Sequence, residues 1–233
     1  MNQPTPCSFL TPSPHADAPE IVHSSEFSTL DSFCEAIFIP KKQWFVAGST
    51  NGYIKVYNYE TMQEVKTFRA HVGYITSLDV HASEPYMLSA ARFDQTVKLW
   101  NWEKGWECVR TIYTAASRVK FNPKDADYFA CTTPDGFETW NISSPGSDNL
   151  PLSTKTSEAW GLDYLTHGDE LCVITGHHSG LVKIWNWQCR SCLRTLQGHT
   201  GFVATVCTHP DLPLLITGSY DGTVRLWNKN TFE

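Results

Sequence analysis

The 233-residue chain of 26.3 kDa is long enough for a domain that buries ~70 to 75% of its unfolded surface. A composition that is 41% hydrophobic, 18% charged and 13% aromatic, with nine Trp, excludes global disorder and coiled coil and points to packed strands. Eighteen Lys plus Arg against 24 Asp plus Glu leave a net charge of -6, which removes any general attraction to nucleic-acid phosphates.

The first stretch, Met1 to Glu20, is rich in Pro, Ser and Thr and lacks the basic start and apolar run of a signal peptide. No apolar run approaches ~18 residues, so direct membrane insertion is not expected and the reading is cytoplasmic. In that compartment the eight Cys are thiols by default. Residues 1–19 are read as a disordered tail and 20–233 as one domain.

From there the chain repeats. Five segments share a strand that reads GYIKVYN (52–58), QTVKLWN (95–101), GFETWN (136–141), GLVKIWN (180–186) and GTVRLWN (222–228). Their aromatics Tyr57, Trp100, Trp140, Trp185 and Trp227 are spaced by 43, 40, 45 and 42 positions. That period is one four-stranded propeller blade. Each repeat adds an apolar run, as at 44–48 and 214–218, and then a tight turn. Asn51-Gly52, Asp135-Gly136 and Asp221-Gly222 accept the positive φ that two-residue hairpins need. A fourth strand follows at 64–68, 108–112 and 192–196. Repeat three is the weakest, because it lacks a Gly-His pair and has a shortened third strand.

These residues resemble the WD-repeat family, with Asn58, Asn101, Asn141, Asn186 and Asn228 where the family reads Asp. An Asn keeps the turn-forming acceptor and loses only the charge. The resemblance implies an all-β propeller of five blades, either closed or an open arc. It also implies a buried hydrogen-bonded chain of His, hydroxyl, turn Asp and strand Trp, which His71, Asp94 and Trp100 match in repeat two and His199, Asp221 and Trp227 in repeat five. Thr217 or Ser219 would supply the repeat-five hydroxyl. Such a chain has the ingredients of a hydrolase triad, but no GxSxG elbow accompanies it, and the structural role is the expectation. Trp100, Trp185 and Trp227 are expected at blade boundaries.

Other candidates are weighed against plainer roles. Cys189 and Cys192 have CxxC spacing without a second ligand pair, so no metal is assigned. His177-His178 is read as a pair of exposed loop histidines, and His81 and His209 as corner residues. Lys55, Lys98, Lys183 and Arg225 recur two residues before the anchor aromatic. Their stems are expected to pack between blades with the charge reaching solvent. No phosphate loop or dinucleotide motif is present, so no cofactor and no catalytic residue are assigned.

Longer stretches, AHVGYI (70–75), KLWNWEKGWEC (98–108), FNPKDADYFA (121–130), LVKIWN (181–186) and HPDLPLLITGS (209–219), resemble the first propeller of coatomer beta-prime subunits. That resemblance implies a non-enzymatic scaffold of vesicle coats between Golgi and endoplasmic reticulum, peripheral on those membranes. Its partners would be coat subunits and the peptide tails of membrane cargo. The family propeller has seven blades and reads dilysine tails. Here Cys34 stands where an Arg is expected, and Gly73 and Arg92 where Asp is expected, so dilysine recognition is expected to be lost. The alternative role is a substrate adaptor of a ubiquitin ligase. Its usual Arg two positions after the WD dipeptide is replaced by Glu60, Glu103, Ser143, Gln188 and Asn230. Finally, the stretch around Ile21 and Val22 aligns with a fourth strand and is expected to pair beside residues 222–228, clasping the ring.

Overall fold

Period-two strands separated by glycine turns every few residues leave the backbone no partner but the adjacent strand, and antiparallel sheets result. The computed structural model describes residues 32–143, 157–167 and 170–231, with the backbone of 152–155. Blade one comprises β1 (Phe33–Ile39), β2 (Trp44–Ser49), β3 (Tyr53–Asn58) and β4 (Glu64–Arg69). Blade two comprises β5 (Ser77–Val80), β6 (Tyr86–Ala91), β7 (Thr96–Asn101) and β8 (Glu107–Tyr113). β9 (Arg118–Phe121), β10 (Tyr128–Thr133), β11 (Gly136–Asn141) and β12 (Leu152–Lys155) make blade three. Blade four holds β13 (Ala159–His167), β14 (Glu170–His177), β15 (Val182–Asn186) and β16 (Cys192–Leu196). β17 (Val203–Thr208), β18 (Leu214–Ser219) and β19 (Val224–Asn228) form blade five. Within every blade the strands pair in chain order, each antiparallel to its neighbour.

Turn chemistry works as the residues dictate. Gly52 sits at φ +85, and a Cβ there would lie 2.2 Å from the His71 carbonyl, because the chain leaving β4 folds over that turn. Both Ala70 and His71 donate their N–H to the Gly52 carbonyl. The five Asn residues after the anchor aromatics each accept from the turn that follows. Asn58 Oδ1 takes the N–H of Glu60 and Thr61, and Asn186 Oδ1 those of Gln188 and Cys189. Asn101, Asn141 and Asn228 do the same for Lys104, Ser143 and Asn230. An uncharged acceptor therefore suffices.

The core is a series of layers between consecutive blades. Val46, Ile54 and Val56 of blade one meet Leu78, Met87 and Trp100 of blade two. Leu88, Val97 and Leu99 of blade two meet Val119, Phe121 and Phe129 of blade three. Phe137 packs against Val173 and Trp185, and Ile174 and Ile184 against Leu215 and Trp227. Trp100, Trp185 and Trp227 are all buried at these boundaries.

The arc stays open. Among the described residues β19 pairs only with β18, and no strand of blade five pairs with blade one. The side chains of blade five that correspond to Leu88, Val97 and Leu99 are Ile216, Val224 and Leu226. The last two are 75% and 60% exposed, since no further blade covers them among the described residues. The expected disorder of 1–19 and the clasp near Ile21 and Val22 lie outside the described residues.

Candidate functional site

In blade two the indole N–H of Trp100 donates to Ser89 Oγ at 2.8 Å, and Ser89 Oγ lies 2.7 Å from His71 Nε2. His71 Nδ1 lies 3.0 Å from Asp94 Oδ2, so the consistent arrangement has Nδ1–H donating to the carboxylate and Nε2 accepting from serine. Burial, reinforced by Lys98, holds the His71 imidazole below its ordinary pKa against the pull of Asp94. Burial also pushes Asp94 up, but the Val72 N–H, the Thr96 hydroxyl and His71 together bring it below the usual carboxylate range.

Blade five repeats the pattern. Trp227 donates to Thr217 Oγ1 at 2.9 Å, Thr217 reaches His199 Nε2 at 2.8 Å, and His199 Nδ1 reaches Asp221 Oδ2 at 2.8 Å. Thr217 rather than Ser219 supplies the hydroxyl. Ser219 Oγ instead donates to the Gly201 carbonyl. The polar atoms of these chains are occupied by one another, by loop backbone and by Thr96 or Thr223, and each hydroxyl is held within the blade. That geometry ties loop to sheet.

Blade four reaches the same end by a different residue. It has no Gly-His pair, yet Trp185 still donates to Thr175 Oγ1 at 2.8 Å. The imidazole that meets Thr175, at 2.7 Å, is His177, from the end of the same strand. Its Nδ1 lies 3.1 Å from the Ser157 carbonyl. This corrects the reading of His177-His178 as two exposed loop histidines, because His177 is fully buried and only His178 is exposed. Burial first, then Lys183, push His177 down to about 4. His81 is a corner residue, with Nδ1 accepting the N–H of Ser83 and Glu84, and His209 does the same for Asp211 and Leu212.

The recurrent cations rest on rings. Lys98 lies over Trp100 and donates to the Ala70 carbonyl, Lys183 lies over Trp185, and Lys55 over Phe33. Arg225 keeps its Nε buried without a hydrogen-bond partner. Cys189 and Cys192 are exposed free thiols. Among the described residues no group of three or more His, Cys, Asp or Glu is placed to hold a metal ion. No helix among them is long and apolar enough to cross a membrane.

Sequence reading missed the charges on the first strands. Asp79, Lys120 and Asp163 occupy equivalent positions of β5, β9 and β13. Lys120 pairs with Asp163 at 2.8 Å, and Asp79 accepts the Phe121 N–H at 2.6 Å. Asp163 in turn accepts the Thr208 N–H at 2.7 Å, so each acid stitches its strand to the next blade. Glu35 does likewise for Leu78 and binds Arg118 at 2.8 Å. Burial raises Asp79 to about 6. The signal was an aligned charged position inside short apolar strands.

Cys34 is exposed on β1, and Gly73 adopts φ +124 in the loop before β5. Arg92 is not a free like charge. Its guanidinium binds Glu158 at 2.5 Å and lies 4.7 Å over the ring of Trp160.

The WD domain, G-beta repeat family model matches residues 62–101 and 190–228, the spans that carry the two complete His–Asp–Trp chains. Coatomer subunit beta'-2 of Arabidopsis thaliana is 46% identical over 113 residues, 46% of this chain and 12% of that protein. A probable coatomer subunit beta' of Schizosaccharomyces pombe is 37% identical over 106 residues, 44% of this chain and 13% of that protein. The match thus spans only a small part of those relatives. The Myceliophthora thermophila Cps50 (Swd1) β-propeller domain superposes with a TM-score of 0.73 over 84% of this chain and 64% of that one. At 21% identity it speaks for the fold alone. Repeat pattern, blade architecture and these likenesses agree that the chain is a divergent WD-repeat β-propeller resembling coatomer beta-prime subunits.

Proposed function

We propose that this protein is a non-enzymatic interaction scaffold of vesicle coats moving between Golgi and endoplasmic reticulum, acting through contacts with coat subunits at the cytoplasmic face. The observation that carries this reading is the 46% identity to a plant coatomer beta-prime subunit. The closed hydrogen-bond chains support a scaffold, since every triad-like set is consumed in joining loop to blade. Affinity capture of the tagged full chain from cells, followed by mass spectrometry, tests it. Coat subunits should be enriched over an unrelated propeller, whereas enrichment of ubiquitin-ligase subunits alone would replace this reading with the adaptor role.

Dilysine recognition is absent in this reading. Cys34 and Gly73 offer no charge, and the nearby carboxylates are already engaged, Glu35 by Arg118, Asp94 by His71, and Glu158 by the guanidinium of Arg92. A lysine tail would have to displace that guanidinium. Calorimetry with a dilysine-tailed peptide should show affinity at least ~10-fold below low micromolar. Low-micromolar binding lost on amidating the peptide terminus would overturn this.

A further inference from the structure

Blade five ends the arc on a face that the other blades keep covered. Ile54, Val97 and Val182 point at the following blade and are fully buried, whereas their counterpart Val224 stands open together with Leu226 and Ile216. Strand register sets two rows across this face, Thr205, Gly218 and Val224 in one and Cys207, Ile216 and Leu226 in the other. Neither row carries a charge. In blades two and four an acid, Asp79 or Asp163, stands where Cys207 stands here and reaches the backbone of the next blade. Blade five lacks that polar stitch and presents an apolar surface instead.

The shape of the face narrows its occupant. Inside the arc, a glycine on the second strand receives a β-branched side chain from the next blade. A Cβ on Gly48 would lie 2.8 Å from Ile75 Cγ2, and one on Gly176 would lie 2.7 Å from Val203 Cγ1. Gly218 holds the same place in blade five, but a Cβ there would meet only Thr205 Cγ2 of its own blade, at 2.9 Å. Ala204, Thr205, Tyr220 and Val224 border the hollow above it. Val224 lies directly across the strand pair from Gly218 and is itself a β-branched knob. Hole and knob therefore sit side by side, which makes the face self-complementary. A two-fold axis between them places each Val224 over the Gly218 of the other copy, as Val203 sits over Gly176 within one chain.

We propose that two copies of this chain pack face to face through blade five, with Gly218, Val224, Leu226 and Ile216 at the contact. The other end of the arc offers no second face of this kind. On blade one the side chains that alternate with Val46 and Val56, among them Ala47 and Tyr57, are buried. A molecule with one open apolar end closes as a two-fold pair, whereas two complementary ends would build a chain of copies. The missing charge fits the same occupant. Each copy carries a net charge of -6, so two copies meet most favourably where neither brings an acid. The dimer does not depend on the coat assignment and would serve either kind of scaffold.

Sedimentation equilibrium of the full chain between about 1 and 200 µM tests this, since a small apolar face supports micromolar association. The mass should rise to twice the 26.3 kDa of one chain and stop there. Added salt should leave the dimer unchanged or tighten it, because it screens the repulsion between two acidic copies. Val224→Lys enters the contact twice and should weaken it by about 100-fold or more. Gly218→Ala fills the hole, displaces only the methyl of the exposed Thr205, and should weaken the dimer by about tenfold. Tyr113→Ser, which removes a ring 83% exposed on blade two, should leave it unchanged. Matching melting temperatures at low concentration verify the fold of each variant. A full chain that stays monomeric throughout overturns the proposal, whether its face is then free or covered by another segment of the same chain. Growth beyond the dimer overturns the two-fold arrangement. A dimer indifferent to Val224→Lys or to Gly218→Ala overturns it as well, since association would then run through the β19 edge or another surface.

Discussion

Trp100→Ala is expected to lower the unfolding free energy by ~3 to 5 kcal/mol, a large share of the stability of any domain. The ring is buried between blades one and two, 4.8 Å from Phe68, and donates to Ser89. Its loss leaves a cavity beside Met87 and removes the first link of the chain to His71 and Asp94. Trp227→Ala deletes the same link in blade five, whose outer face no described residue covers, so fewer described neighbours hold that blade. There the expected result is an early separate transition of residues 203–228, read by hydrogen exchange. For Trp100→Ala the whole melting curve should shift. Unchanged denaturant midpoints in both variants would sink the idea that these rings hold the blades together.

A second large effect should appear in the pH dependence of stability. His177 is held to about 4 in the fold, against an ordinary value near 6.5. Between those values the unfolded chain binds a proton that the folded chain refuses, so stability is lost as pH falls from 6.5 through 4. The proton would have to enter at Nε2, where Thr175 already donates. Asp79 acts in the opposite sense. Its folded value is about 6 against 3.8, so the fold holds a proton that the unfolded chain releases, and stability is lost as pH rises through that window. Each shift corresponds to about 3 kcal/mol, and in the native chain the two largely offset each other between pH 4 and 6. Asp79→Asn keeps an acceptor for the Phe121 N–H and removes only the second effect. The variant should be more stable than the parent at pH 7, by ~1 to 3 kcal/mol, and should lose that advantage as pH falls to 4. Chemical unfolding of both proteins at intervals across this range gives the difference. A stability difference that does not change with pH would refute the assignment.

The blades were legible because their information is local. A strand, its turn and the next strand lie within one repeat, and the anchor aromatic marks all five, while Asn-Gly or Asp-Gly turns mark three of them. Repeat three had no fourth strand read in it, because the residues of β12, Leu152–Lys155, carry no alternation and no flanking aromatic. The place of β12 is set by pairing with β11. The His71 and His199 chains were readable for the same reason, since all their members fall within one period.

Sequence alone determined the repeat, the turn chemistry, the buried tryptophans and the uncharged Asn caps, because each depends on residues close in the chain. Tertiary structure decided the rest. That His177 takes the place of a missing Gly-His histidine depends on the loop before β13, which brings Ser157 to it from 20 positions away, while Thr175 lies two residues back on the same strand. That Arg92 is neutralised depends on Glu158, 66 positions away, and Glu35 meets Arg118 across 83. The contacts between blades arise only when separate blades stack, and the stacking is driven by non-directional burial of apolar faces, which leaves no mark at any single position of the sequence.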